Sequence, residues 1–448
     1  MKRMLFNLLI VYSFFSLMMI PELFARDKDP LAGESLFRDV VFYSSLGDHR
    51  TATPSDRVTA LWIGHRLKKA GLKVRTQEWD TRQFYPLRTE VIIDKTQKIK
   101  AFPVWWPKPT PPWGIEAPMT RDKNDVNGKI YLFVNRTPAT FSITPALAGE
   151  IHAVAANGAL AMVVVNYYNG QDTVASDEFI GLNAIQETRD EWPIPVVSAM
   201  AGDQQALDEA ILDQSAVKVV STGRYNNHAK ALNVIGALDR GPESKVMVVS
   251  TPYSGWFTCA GERGSGVAIF LAIAEWAAQN TSDITWIFTA TSGHEIHGSG
   301  VKYYLDSELA PDPLETFSWT HIGAWQAMYS FLLENEVLVP TGQMDRRIFQ
   351  YREAALPPAP TPLKNVVDAK FKDPALNLIV SPRIMYGDLL DVSPYGYNNL
   401  FGISGAHEYH HSTQDLPPVT GPDILEPMAR AYQEALEMLM DYAVEQGL

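Results

Sequence analysis

The chain has 448 residues, 46% of them hydrophobic and 20% charged, which is ordinary globular material and excludes a disordered chain. A formal charge of -13 argues against nucleic acid or an anionic lipid surface as a partner. The single cysteine, Cys259, excludes an intrachain disulfide, so stability must come from the core or a metal.

The sequence opens MKRMLFNLLIVYSFFSLMMIPELFA. Lys2 and Arg3 precede an apolar run that ends at the small Ala25, the pattern of a secretory signal peptide over residues 1–25. An uncleaved membrane anchor is the alternative for this run. No later stretch is as long, apolar and uncharged. The mature protein is therefore expected to be secreted or periplasmic, with no membrane partner after cleavage. Roughly 420 mature residues ask for two or more domains, or one large domain with an insertion.

From Ser35, SLFRDVVFYSSL predicts a helix. From Ser55 a second, SDRVTALWIGHRLKKAG, carries Val58, Leu61, Trp62 and Leu67 at helical spacing and stops at Gly71. LKVRTQEW reads as a strand. The proline-rich AFPVWWPKPTPPWGIEAP reads as an irregular linker, its Trp105, Trp106 and Trp113 packing between domains or lining a groove. Beyond it, GKIYLFVNR, PALAGEIHAVAANG, ALAMVVVNYY and WPIPVVSAMAGDQQALDEAI alternate strand and helix. They form a second small unit over 115–222, set between residues 26–114 and 223–448 of the main domain. Next come the strands ALNVIGAL, SKVMVVSTPY and ITWIFTAT, with the apolar helix SGVAIFLAIAEWAA among them. This order predicts an α/β fold with a parallel sheet and right-handed crossovers. DILEPMARAYQEALEMLMDYAVEQ closes the chain as a long amphipathic helix.

In open parallel sheets ligands collect at the C-terminal ends of strands, so the segments after each strong strand are where chemistry is sought. Five of the ten histidines, His294, His297, His407, His410 and His411, fall in two such segments, and His321 falls in a third. A lone loop histidine is unremarkable; several strand ends that bring His and Glu together point to metal binding or acid–base work. TSGHEIHGSG is not a helical zincin motif. Its histidines are three residues apart, where that motif needs four, and Gly293, Gly298 and Gly300 favour a loop.

The run LNVIGALDRG…SKVMVVSTPYSG…CAGERGSGVAIFLAIAEWAA…ITWIFTATSGHEIHGSGVKYYL resembles the zinc aminopeptidase and glutamate carboxypeptidase-like family. DHRTATPSDRVTALWIGHRLKKAGLKV is similar to that family's N-terminal helix, and 115–222 resembles the protease-associated domain often inserted there. The resemblance covers nearly all of the mature chain. It implies a mixed, mostly parallel sheet sandwiched by helices, with the smaller domain inserted.

Active members of the family hold two zinc ions. Their ligands are a His-x-Asp, an Asp in an Asp-Asn-x-Ser-Gly turn, a Glu-Glu pair, a later Asp and a late His. The resemblance places His-x-Asp on Thr251-Pro252-Tyr253, the bridging aspartate on Glu262 and the Glu-Glu pair on His294-Glu295. It places the later Asp on His321 and the late His on His411, with His410 a one-residue alternative and Asp415 four residues on. Glu262, Glu295 and His411 then correspond to every protein ligand of one metal, whereas the other loses its histidine. The resemblance thus implies one zinc ion in preference to two, as in the family's glutaminyl cyclase branch. Two carboxylates and an imidazole with an open fourth position are an ordinary catalytic zinc set.

In that arrangement a metal-activated water attacks the scissile carbonyl, His294 takes its proton, and His321 and Tyr253 donate to the oxyanion. Arg263 either clamps a substrate carboxylate or neutralises Glu262, and the second role weakens the metal reading. Tyr395 and Tyr397, in the 340–400 region, are expected in a substrate pocket wall, and Cys259 reads as packing. The expected function is an exported metal-dependent hydrolase cleaving a peptide, amide or similar bond in a peptide or small molecule. The alternatives are a binding protein on a peptidase fold, or a metal-free hydrolase, lyase or cyclase using His294, His321 and Tyr253.

Overall fold

The computed structural model describes residues 29–136, 142–167, 181–184, 190–241, 244–280, 283–334, 337–352, 362–382 and 385–445; the expected signal segment 1–25 lies outside them. The first two predicted helices run Gly33–Ser45 and Pro54–Lys69. In the second, the Thr53 side chain accepts the Asp56 amide, Pro54 has no N–H to satisfy, and Arg66, Lys68 and Lys69 sit at the negative end of the helix dipole. Trp62, Ile63 and Leu67 are buried as helical spacing requires, whereas Leu61 faces outward.

The strand after it runs far beyond the predicted LKVRTQEW. Lys73–Ile93 pairs antiparallel along its whole length with Val217–Leu238. Pro86 disguises the continuation in the sequence; a register shift between Pro86 and Arg88 accommodates it, as prolines in strands require. This long ribbon carries the chain out to the strands within residues 115–222 and back. There Ile130–Asn135, Ala161–Asn166 and Val196–Ala199 lie parallel. The helices Pro145–Ala156 and Gln204–Leu212 belong to the same unit. The proline-rich segment is less irregular than its composition suggests, because Gln97–Pro103 pairs antiparallel with Val196–Ala199 before the chain turns. Trp105 and Trp106 are buried in one apolar cluster with Trp79, Trp192 and Trp256; Trp113 is exposed.

The main sheet is mixed. Four strands, Thr285–Thr291, Val246–Pro252, Thr316–Ile322 and Leu400–Ser404, lie parallel in that order. Antiparallel neighbours flank them, Val217–Leu238 on one side and Arg347–Arg352 on the other. Val246–Pro252 is buried at every position, the signature of a parallel strand covered by helices on both faces. The apolar helix Ser265–Gln279 and the last helix, Pro422–Glu445, share one core cluster with this sheet. No described helix is long and apolar enough to cross a membrane.

Candidate active site

Because the four central strands are parallel, the segments that follow them gather at one edge of the sheet. The first contains a wide helical turn, Ala260–Gly264, leading into the helix Ser265–Gln279. Such turns recur at functional sites because they re-aim side chains. Asp415 holds this one: its Oδ1 accepts the Gly261 amide at 2.6 Å and its Oδ2 the Glu262 amide at 3.0 Å. Position 261 admits only glycine, since a Cβ there would lie 2.5 Å from Val419 and 2.7 Å from Trp325. The second segment, TSGHEIHGSG, is the loop its glycines predict, with Gly293 at φ +94° and Gly298 at φ +60° and helix resuming at Ser299. His297 is exposed and takes Lys302 as its partner, so it has no part in the cluster.

Glu262, Arg263, Glu295 and His411 come together, each no more than 1% exposed. Nη2 of Arg263 lies 2.9 Å from Glu262 Oε1 and 3.3 Å from Glu295 Oε1, so one guanidinium bridges both carboxylates. Arg263 Nε donates to the Ser254 carbonyl at 2.9 Å. The Ser254 hydroxyl donates to Glu295 Oε2 and accepts the Gly293 amide, both at 2.8 Å. Burial alone would push the Glu262 carboxyl up; Arg263 and His411 outweigh it and hold the group well below the ordinary carboxylate range. His411 Nδ1 donates to the Gly181 carbonyl at 3.0 Å, and its Nε2 faces Glu262 Oε1 at 3.3 Å.

A second ion pair adjoins the cluster. His294 Nδ1 lies 2.5 Å from Asp388 Oδ1, at the start of the short helix Asp388–Val392. Burial and Arg263 pull the His294 pKa down, but the Asp388 carboxylate outweighs them and leaves it raised. Asp388 is pushed down to about 2: burial opposes ionisation, and His294 more than compensates.

No family model matches the chain, and no curated protein matches it in sequence. Solved structures do. A zinc aminopeptidase from Bacillus subtilis superposes with a TM-score of 0.68 at 15% identity, over 93% of this chain and 96% of that one. This chain has the zinc aminopeptidase fold. A peptidase M28 precursor from Shewanella amazonensis matches at TM-score 0.66 and 15% identity, over 91% of this chain and 96% of that one. An aminopeptidase from an Aneurinibacillus species matches at 0.59 and 15%, over 92% and 93%.

On the zinc aminopeptidase fold, the site carries a buried group with the spacing to hold one metal ion. Donor atoms of Glu262, His410 and His411 lie within 4.8 Å of one another, as do those of Cys259, Glu262 and Asp415. Spacing is one condition; protonation and charge are the others. The Trp325 indole can only donate, and it does so to His410 Nδ1 at 2.6 Å, so a neutral His410 carries its proton on Nε2 and presents no second lone pair. Burial and Glu262 push the Cys259 thiol well up, so it stays protonated, and it lies 3.7 Å from Glu262 Oε2 as a donor. Both Asp415 oxygens already accept amides. The expected set of Glu262, Glu295 and His411 is assembled, but Arg263 bridges its two carboxylates. A divalent ion would have to displace that guanidinium, since both would compete for the same two carboxylate oxygens. As placed, these residues do not fit a divalent ion.

Four other expected residues are engaged otherwise. The Tyr253 hydroxyl is buried and donates to the Leu232 carbonyl at 2.5 Å, which removes it as an oxyanion donor. The Tyr395 hydroxyl donates to Asp306, and that of Tyr397 to the Pro311 carbonyl, so both hydroxyl protons are already engaged. His321 sits within its strand, not after it, with Nδ1 3.0 Å from Ser250 Oγ. Ser254 and Asp388 were not singled out by the sequence. Ser254 adjoins a motif position, but nothing in the spacing marks Asp388.

His49, His321 and His407 are each pushed down to about 4, chiefly by burial. They are neutral when folded but protonate near pH 6.5 when unfolded. Their contribution to stability is full above about pH 6.5 and is lost as the pH falls towards about 4. Urea unfolding is expected to lose up to about 1.4 kcal/mol per pH unit per histidine across that window. Unchanged stability from pH 6.5 to 4.5 contradicts this assignment.

Proposed function

We propose that the chain hydrolyses an amide or peptide bond at this strand edge, with His294 as the base and Asp388 as its positioning residue. The observation that carries the reading is the His294–Asp388 pair beside the Arg263 cluster. A carboxylate can only accept, so Nδ1 keeps the ring proton and Nε2 is the basic nitrogen. Nε2 takes a proton from water as the water oxygen attacks the carbonyl carbon. The same nitrogen returns that proton to the leaving amine as the C–N bond breaks. The fold of metallopeptidases supports a peptide or small-molecule amide as the substrate class. We read residues 115–222 as a protease-associated-like insert and residues 1–25 as an export signal, which places the hydrolase in the periplasm or outside the cell.

The test is turnover of a panel of aminoacyl and N-acyl amides, with His294→Ala as the comparison. Wild-type protein is expected to turn over at least one, and the variant, folded by circular dichroism, to lose about 10²–10⁴-fold in kcat/KM. A wild-type protein inert towards the whole panel, or a variant with undiminished rate, rejects the reading.

A further inference from the structure

The Glu262–Glu295 pair poses a problem of charge that the proposed hydrolysis does not explain. Two buried carboxylates from adjacent strand ends call for a cation close to both. A zinc ion would bind such oxygens at about 2.0–2.2 Å. The space between them instead holds Nη2 of Arg263, paired with Glu262 Oε1 at 2.9 Å and hydrogen-bonded to Glu295 Oε1 at 3.3 Å. The guanidinium is not a passing visitor. Its Nε is fixed by the Ser254 carbonyl, and its Cγ is so closely covered that a Cβ on Gly255 would lie 3.0 Å from it. Its Nη1 is buried and has no hydrogen-bond partner among the described residues, which leaves a full donor over.

We infer that Arg263 is a built-in replacement for a metal ion: its guanidinium holds Glu262 and Glu295 together, and the site takes no divalent ion at Glu262, Glu295 and His411. The structure joins the two carboxylates that the sequence offers as ligands through a cation that cannot dissociate. Arginine suits this role better than lysine because it stays charged when buried and its planar fork can serve two carboxylates at once. His411 then lies beside Glu262, its Nδ1 proton held by the Gly181 carbonyl, instead of acting as a ligand.

The experiment loads protein purified without chelator with zinc, removes the excess by gel filtration and measures bound metal. It includes wild type, Glu262→Gln, Arg263→Ala, Arg263→Gln and Arg263→Ala/His411→Ala. Wild type is expected to retain well under one ion per chain and to show no rise in Tm with added zinc. With the guanidinium gone, the folded single variants are expected to gain about one zinc ion per chain, and the double variant to lose most of it. About one zinc per wild-type chain, or a zinc-induced rise in wild-type Tm, overturns the inference if Glu262→Gln abolishes it. So do folded Arg263 variants that refuse zinc. If neither Arg263 variant folds, the wild-type Tm titration decides alone. None of these readings needs turnover, so the proposed hydrolysis and the built-in cation can fail separately.

Discussion

Arg263→Met is expected to cost about 3–5 kcal/mol of unfolding free energy, the largest stability loss of any single substitution at the site. The loss comes less from the broken pair than from what remains: Glu262 and Glu295, at most 1% exposed, face each other with no cation between them. Methionine fills similar volume, so a cavity contributes little. The triple variant Glu262→Gln/Arg263→Met/Glu295→Gln removes all three charges and is expected to recover a large part of the loss, because no buried charge is left unpaired. Denaturant unfolding of the three proteins checks this. A single variant within about 1 kcal/mol of wild type would show that something other than Arg263 neutralises the carboxylates.

The second large effect falls on the reaction. Asp388→Asn is expected to lower kcat/KM by about 10²-fold or more and to move the acid limb of its pH profile downward. The sign follows from the site. His294 must be neutral to accept a proton, and Asp388 holds its pKa above the ordinary 6.5, so the wild-type rate rises with pH through a value above 6.5. With the carboxylate gone, burial and Arg263 still pull the imidazole down, and the limb moves below 6.5. An amide at position 388 can still accept from Nδ1, so the ring stays in place while the charge is lost. A profile unchanged in Asp388→Asn would show that Asp388 does not set the protonation of the base.

Much of this architecture was legible in the sequence, for identifiable reasons. Strand–helix–strand order and near-continuous apolar strands point to a parallel sheet, and parallel strands must end on one edge. That is why reading the residues after VMVVS and ITWIFTA located Glu262, Arg263 and Glu295 together. The glycines of TSGHEIHGSG correctly argue for a loop because two of them have positive φ. Length was less legible: Pro86 and Pro103 lie in strands that composition truncates, one at a register shift and one at a strand end. Side-chain commitments were less legible still. A motif position puts Tyr253 beside the site, but its hydroxyl is held by Leu232. Arg263 could equally have bound a substrate, and only the distances to both carboxylates assign its partner. Asp388 reaches His294 from 94 residues away, through a segment with no periodic signal.

The central claim is that a guanidinium, and not a metal ion, lies between Glu262 and Glu295. Its most direct test is a crystal structure of zinc-soaked wild-type protein, with anomalous data collected at the zinc edge. The expected result is continuous density for Arg263 between the two carboxylates, with no anomalous peak within bonding distance of Glu262, Glu295 or His411. An anomalous peak bonded to those three side chains, with Arg263 turned away, would contradict it.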